Sequence, residues 1–303
     1  MRAYGVFRCT YLSGKGEKLL MQKRVIIACD STCDLGDVLR QQFDIKVLPL
    51  GITLSDTLYI DGVTVDPDMI YDHYKKTGVL PKTSAINVGE CDDFFREHTA
   101  DGSEMVFITI GSELSSTYRN ACLAAAEYEN VYVVDGCSLS TGGTMLVYHA
   151  AQMAQQGKSA KEIADACCEL RERVSVSFVV DDLEFLHKGG RCSALAALGA
   201  NVLQIKPCIA VENGKMGMSK KYRGKFAAVL LKYLDEALVN PETVDSEMIF
   251  VTHAGCDDAI CQACIDRVKE ILPEAHVELV RAGCTISSHC GRNTLGVIFA
   301  RKA

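Results

Sequence analysis

The chain has no tryptophan, only six prolines among 303 residues, no low-complexity tract, and no apolar run approaching the roughly 18 residues of a membrane-spanning helix. Each absence narrows the classes open to it. At 48% hydrophobic and 23% charged residues, the composition is that of a soluble globular protein rather than a disordered or fibrous one. Positive charge is nowhere concentrated, and the net charge of −7 is spread along the sequence. That argues against a nucleic-acid partner, because phosphate-backbone binding needs a basic patch. Catalytic motifs are missing too. There is no G-x-S-x-G elbow, GGTML lacks the spacing of a phosphate-cradling P-loop, and no G-x-G-x-x-G follows the first strand pattern. These gaps shift weight from enzyme to binding protein. The opening MRAYGVFRCTYLSGKGEKLL holds no apolar block long enough for a signal peptide. Met21 stands almost at the first strand pattern, so translation is expected to start there, with residues 1–22 an extension that is disordered or a start-site artefact.

Cysteine, by contrast, is abundant, with fifteen residues. Cys29, Cys122, Cys167, Cys168 and Cys208 lie inside apolar periodic stretches, where a thiol packs as a small hydrophobe. Only Cys261 and Cys264 form a C-x-x-C, inside the amphipathic helical pattern DDAICQACIDRVKEIL, and a zinc site would need a second pair at matching spacing. Core or surface thiols are therefore expected, with no metal. An odd count fits a reducing cytoplasm better than a secreted chain.

The length accommodates two domains, each with its own core. In the first half, residues 24–30, 46–52, 105–110 and 131–135 read as buried strands. Residues 34–42, 66–77, 88–98, 115–129 and 139–156 read as helices between them. Strand then helix, repeated, predicts an α/β domain with a parallel sheet and helices on both faces. The second half starts near residue 174. The pattern predicts a helix over 160–174, a strand over 175–182, a short helix ending at Gly189 and Gly190, an Ala/Leu-rich helical run from 193 stopped near Pro207, and a hairpin turning at Asn213 and Gly214. Helices over 223–239 and 257–272 and strands over 247–253, 276–282 and 295–300 complete it. The expected domains are thus 23–174 and 175–303, the second an α/β domain with a mixed sheet.

In such sheets ligands collect where strands end and helices begin. Ser112, Ser115, Ser116 and Thr117 occupy that edge in ITIGSELSSTYRNA, as do Asp30, Ser31 and the segment DGCSLSTGG. Thr83 and Ser84 sit in a turn-like segment before a helix that Asn87 and Glu90 open with the spacing of a capping box. These hydroxyls are read either as helix caps or as a clamp for a carboxylate or phosphate that uses no cationic side chain. Arg191 in GGR either faces an anion or partner or is a surface residue after a helix cap. His253 ends a strand, whereas His289 lies in the hydroxyl-rich, glycine-bracketed segment TISSHCGRNTLG, read as a loop. Either histidine could hydrogen-bond a carboxylate or serve a hydrolase or small-molecule kinase subunit as acid or base.

Taken in order, CDSTCDL (29–35), VLPLGI (47–52), YIDG (59–62), KTS (82–84), the 108–121 segment, VVDGCSLSTGG (133–143), LEFLHKGGR (183–191), NVLQIKPCIAVENGK (201–215) and SSHCG (287–291) resemble the DegV family of bacterial fatty-acid-binding proteins. The resemblance runs from about residue 24 to the end. It implies a two-domain α/β fold with a long-chain fatty acid buried between the domains, and no cofactor beyond that ligand. It further implies a partner, a fatty acid kinase subunit that converts the presented carboxyl group to acyl phosphate for phospholipid synthesis, and so transient contact with a membrane. In family members a Thr from T-S-Q-P and a Ser from L-S-G-T hold the carboxylate, matching Thr83 and Ser115, with Ser84 and Ser116 as neighbouring hydroxyls. The histidine of G-x-H-x-G-P-G matches His289, and the arginine of G-G-R matches Arg191. Three stretches depart from the pattern: Thr83-Ser84-Ala85-Ile86, Leu114-Ser115-Ser116-Thr117, and Cys290-Gly291-Arg292-Asn293 after the histidine.

Overall fold

Strand and helix alternate from the start of the computed structural model, which describes residues 23–192 and 205–303. The expected extension 1–22 and most of the Ala/Leu-rich run lie outside those residues. In chain order the first half comprises β1 (Val25–Asp30), α1 (Asp37–Gln42), β2 (Lys46–Leu48), β3 (Gly51–Leu54), β4 (Thr57–Ile60), α2 (Pro67–Thr77), β5 (Lys82–Ser84), α3 (Val88–Thr99), β6 (Glu104–Thr109), α4 (Thr117–Ala125), β7 (Val131–Asp135), α5 (Thr141–Gln155) and α6 (Ala160–Leu170). The second comprises β8 (Val174–Val180), α7 (Glu184–Lys188), β9 (Ile205–Glu212), β10 (Lys215–Arg223), α8 (Phe226–Ala237), β11 (Val244–Ala254), α9 (Asp258–Ile271), β12 (Val277–Arg281), α10 (Cys284–Cys290) and β13 (Thr294–Arg301).

The first sheet is parallel, in the order β2-β1-β6-β7. Alternate residues of β1 and β6 enter different cores. Ile27, Cys29, Val106 and Ile108 pack with α5 and α6, while Ile26, Ala28, Met105 and Phe107 pack with α3 and α4. Burial on both faces is why these strands read as continuous apolar runs. The second sheet is mixed, in the order β10-β9-β8-β13-β11-β12, with β11 and β12 parallel and the other pairs antiparallel. One face shares a core with α5 through Val176, Phe250 and Ile298, so that helix lies between the two large sheets. The other face is covered by α8 and α9, where Cys261 and Cys264 are both 1% exposed core thiols.

Two sequence expectations are corrected. The strand expected over 46–52 is broken at Pro49, which lacks the N–H a ladder needs. Its first part joins the parallel sheet, and its second part becomes β3 of a separate antiparallel sheet, β4-β3-β5. Thr83 and Ser84 therefore stand in a short strand, not a turn. Near the other boundary, Ile205, Lys206 and Pro207 already belong to β9, so no helix runs to Pro207.

Candidate functional site

Where the first half meets the second, the loops after β6 and β7 face α7, α10 and the β9–β10 hairpin across a cavity of about 220 Å3. Leu50, Ile110, Leu114, Leu139, Leu186 and Ile286 make its walls apolar. Its polar lining includes Thr83, Ser115, Ser116, His289 and Arg191, and thus gathers residues from four separate stretches of sequence.

Thr83 arrives on β5, whose register pairs Ile52 with Thr83 and Gly51 with Ser84. Neighbouring strand residues face opposite ways. Thr83 turns inward, and its Oγ1 lies 2.9 Å from Nε2 of His289. Ser84 faces outward, is exposed, and donates to the carbonyl of Gly51 at 3.3 Å. It is not part of the cavity wall, which corrects the expectation that both hydroxyls of the pair share one clamp.

Ser115 precedes α4. Its Oγ accepts the N–H of Thr117 at 3.2 Å and lies 3.0 Å from Oγ1 of Thr117, which in turn accepts the N–H of Ile86 at 3.3 Å. Capping and cavity lining thus coexist in one residue. Ser116 occupies the N-cap position without a side-chain cap bond and is exposed at the cavity edge. Ser112 is elsewhere: its backbone N–H donates to Asp135.

His289 is not in a loop. It lies in the last turn of α10, because the hydroxyl-rich stretch before it is helical. The cause is non-local. Asp34 accepts the N–H of Gly283 at 2.8 Å, and Asp61 accepts those of Cys284 and Thr285 at 3.0 and 3.2 Å, so two distant carboxylates satisfy donors that a helix start leaves open. Burial, and secondarily the charge of Arg191, pull the imidazole down to about 4, so it is neutral at physiological pH. Its Nδ1 is buried without a hydrogen-bond partner. Arg191 reaches the cavity rim and donates to the carbonyl of Gly189 at 2.9 Å. Burial pushes the Cys290 thiol up to about 12, which makes this cavity residue an uncharged wall rather than a nucleophile.

His253 does not join this group. Its Nδ1 accepts the N–H of Cys256 at 3.2 Å, and it borders a second void of about 30 Å3. Leu139, Ile286 and Cys290 belong to the walls of both voids, so the smaller one lies directly behind the larger. Among the described residues, no group of three or more His, Cys, Asp or Glu side chains is placed to hold a metal ion, and no helix is long and apolar enough to cross a membrane.

The hydroxyls and histidine were visible in sequence, whereas the apolar wall was not. Leu139, Leu186, Met216 and Ile286 come from unrelated segments and carry no local pattern that separates cavity lining from ordinary core. Thr285, also on the wall, had a weak signal in its hydroxyl-rich context.

Fold and cavity define a class: α/β proteins with a parallel and a mixed sheet, and between the two halves an apolar cavity closed by hydroxyls and one imidazole. A family model described as "Uncharacterised protein, DegV family" matches residues 24–302. A DegV domain-containing protein of Clostridium acetobutylicum is 31% identical over 284 residues, spanning 92% of this chain and 99% of that one. Among solved structures, a DegV family protein from Thermus thermophilus described by its fatty acid binding is 27% identical, with a TM-score of 0.85 over 92% of this chain and 100% of its own. A stearic acid-binding protein from Eubacterium ventriosum is 26% identical, with a TM-score of 0.78 over 91% of this chain and 98% of its own. The chain belongs to the DegV family.

Proposed function

We propose that this protein is a fatty-acid carrier. It holds a long-chain fatty acid between an N-terminal domain, 23–174, and a C-terminal domain, 175–303, and presents the carboxylate to a fatty acid kinase subunit for acyl-phosphate formation. The setting is cytoplasmic, with transient membrane contact when the lipid is taken up or passed on. One observation carries the reading: in a fold shared with fatty-acid-binding relatives, an apolar cavity ends at Thr83, Ser115 and a neutral His289.

The hydrogen-bond directions explain how a clamp without an ion pair holds an anion. With Nε2 of His289 protonated, the imidazole donates to Thr83 and leaves the threonine proton for the ligand. Thr117 supplies Ser115 with its amide and, in the matching rotamer, its hydroxyl proton, so the proton of Ser115 is likewise free. Two hydroxyls, each supported from behind, then donate to one carboxylate. Ser116 at the rim adds a third hydroxyl.

The tail supplies the affinity. Burying about 14 methylenes at ~0.8 kcal/mol each gives a gross gain on the order of 11 kcal/mol, reduced by ordering costs. A buried ion pair would hold the carboxylate oxygens away from a phosphoryl donor, whereas hydroxyls orient them and leave them nucleophilic. Arg191 stands at the rim, where a partner or the donor's phosphates would meet it.

The rival reading is a hydrolase or small-molecule kinase subunit that uses His289 or His253. It lacks support at His289, whose Nδ1 has no carboxylate behind it to orient the ring as a base. Mass spectrometry of the purified, denatured protein separates the two. Release of a long-chain fatty acid is expected; an empty protein that turns over a small substrate would overturn the carrier reading.

A further inference from the structure

Three motifs of the sequence, CDSTCDL, YIDG and DGCSLSTGG, contribute Ser31, Asp34, Asp61 and Ser140, which do not themselves line the cavity yet meet at one place behind its wall residue Thr285. Asp61 is 4% exposed and Asp34 6%. Through one oxygen Asp61 accepts the backbone N–H of Cys284, and through the other the N–H of Thr285, the Thr285 hydroxyl at 2.6 Å and the Ser31 hydroxyl at 2.9 Å. Asp34 accepts the N–H of Gly283 through one oxygen and the Ser140 hydroxyl through the other. Three consecutive backbone donors at the start of α10 are thereby taken by carboxylates from two segments more than 200 positions away in sequence.

Gly283 makes that approach possible: a Cβ there would stand 2.9 Å from Oδ1 of Asp34. Ser140 has φ +53°, in the left-handed half of the map that a serine rarely occupies, and from there its hydroxyl reaches Asp34. Asp61 closes the small sheet at the end of β4, and Ser31 accepts the N–H of Leu50, the residue that enters that sheet. Because Asp61 itself follows β4 and its N–H donates to the carbonyl of Leu50, its carboxylate ties the strand pair next to β5 directly to the helix that carries His289, without Ser31.

We infer that Asp61, with Asp34, is a positioning residue of the clamp: it fixes the start of α10 against the small sheet and so sets the 2.9 Å approach of His289 to Thr83. The inference rests on the carrier reading for its consequence, because the orientation of a bound carboxylate follows from that approach. The geometry separates the two partners of one oxygen. Thr285 belongs to α10, so its bond to Asp61 holds the helix. Ser31 lies on the 3-10 turn after β1, and its loss leaves all three α10 donors satisfied.

The experiment compares Asp61→Asn, Thr285→Val and Ser31→Ala with the parent protein by NMR, reading the imidazole Nε2–H of His289 and the carboxyl carbon of added [1-13C]palmitic acid. In Asp61→Asn the amide keeps one acceptor, so in either orientation its nitrogen faces a backbone donor, the N–H of Cys284 or that of Thr285, and the start of α10 has to shift. The expected result is an Nε2–H that exchanges at least about tenfold faster in Asp61→Asn and Thr285→Val, with a displaced carboxyl resonance, and neither change in Ser31→Ala. Unchanged signals in a folded Asp61→Asn, or equal changes in Ser31→Ala and Thr285→Val, would overturn the assignment. Should Asp61→Asn not fold, Thr285→Val against Ser31→Ala decides alone. If the parent protein takes up no palmitic acid the carrier reading fails, while the imidazole signal in the ligand-free protein still tests the positioning of His289.

Discussion

The parallel sheet and the small antiparallel sheet lie a few residues apart in sequence and are built on opposite principles. In β1 and β6 nearly every residue is buried, because helices cover both faces. In β4 the outward side chains reach solvent, Leu58 being 64% exposed and Ile60 36%, and the small sheet packs on its inner face only, through Ile52 and Leu54 of β3 and Tyr59 of β4 on a core that includes Phe185 of α7. The small sheet thus leans on α7 and α10 of the second half rather than on the sheet from which it departs. Its lesson concerns the cavity. Ser115 belongs to the chain after β6, where its N–H donates to the carbonyl of Gly111, while Thr83 rides on the thin element, and Thr117, which bonds both Ser115 and the N–H of Ile86 just after β5, joins the two regions.

The largest test of this contrast is in the core. Phe107 is fully buried and packs edge-on against Phe95 with ring centroids 5.4 Å apart. Phe107→Ala is expected to cost about 3–5 kcal/mol in chemical denaturation, the usual range for such a cavity. Leu58→Ala in β4 is expected to stay within about 0.5 kcal/mol, as for an exposed position. A Leu58 effect above that would mean that the outer face of the small sheet is covered rather than solvated.

Next comes the clamp. Thr83→Val combined with Ser115→Ala removes one hydroxyl from each region, and the hydrogen bonds lost to a charged group are worth about 1.5–3 kcal/mol each. On the carrier reading, retention of the lipid is expected to fall on the order of a hundredfold, the low end for two such bonds, and acyl-phosphate formation with a fatty acid kinase by roughly a further tenfold or more, because the carboxylate is also left unoriented. Equal losses in the two assays would mean that the hydroxyls hold the head group without orienting it.

A smaller effect concerns pH. The imidazole of His289 is expected to titrate near 4, against about 6.5 when unfolded, because burial and the nearby Arg191 charge disfavour the cation. Between those values the unfolded chain binds a proton that the folded chain does not. Stability therefore rises with pH across the window and is lost as pH falls from about 6.5 toward 4, by no more than about 2 kcal/mol once partial solvation of the ring is allowed for. Asp30 has the opposite sign. Burial raises its carboxyl to about 6 despite bonds from Thr32 and the N–H of Ile110, so its contribution is full below about 3.8 and fades as pH rises through 6. Thermal unfolding of His289→Gln beside the parent protein isolates the histidine contribution. A midpoint near 6.5 in NMR titration would place the ring in solvent and break the neutral clamp.

How much of this was legible in the chain depended on whether the cause was local. The strands of the parallel sheet declared themselves by apolar runs. The start of α3 was readable because Asn87 and Glu90 cap it reciprocally within four residues. The small sheet escaped notice because its strands are only three or four residues long and half exposed, too short for a period of two to stand out. For α10 the obstacle was distance: TISSHC is helical because Asp34 and Asp61 complete its first turn, and no window around His289 contains either. The candidate site followed the same rule. Ser115 and Ser116 sit at a recognisable strand-to-helix junction, whereas Thr83 stands on the unrecognised β5 and the apolar wall is assembled by tertiary packing alone.

The finest discrimination lies between two adjacent hydroxyls. In β5 the side chains of Thr83 and Ser84 point to opposite faces of a sheet one layer thick, and only the first meets His289. Ser84 spends its hydroxyl on the carbonyl of Gly51, a weak exposed bond, and a Cβ on that glycine would stand 2.4 Å from the serine oxygen. Ser84→Ala is therefore expected to change lipid retention and acyl-phosphate formation less than about twofold and stability by less than about 0.5 kcal/mol, because the group lost already faces water. Gly51→Ala should do more harm, since the added methyl pushes the Ser84 side chain outward and strains the β3–β5 pairing that keeps Thr83 turned inward. The order Gly51→Ala above Ser84→Ala, read by the same retention assay, tests the strand register itself. The reverse order would put Ser84 on the ligand side and require β5 to pair one residue out of step, which would also carry Thr83 away from the imidazole.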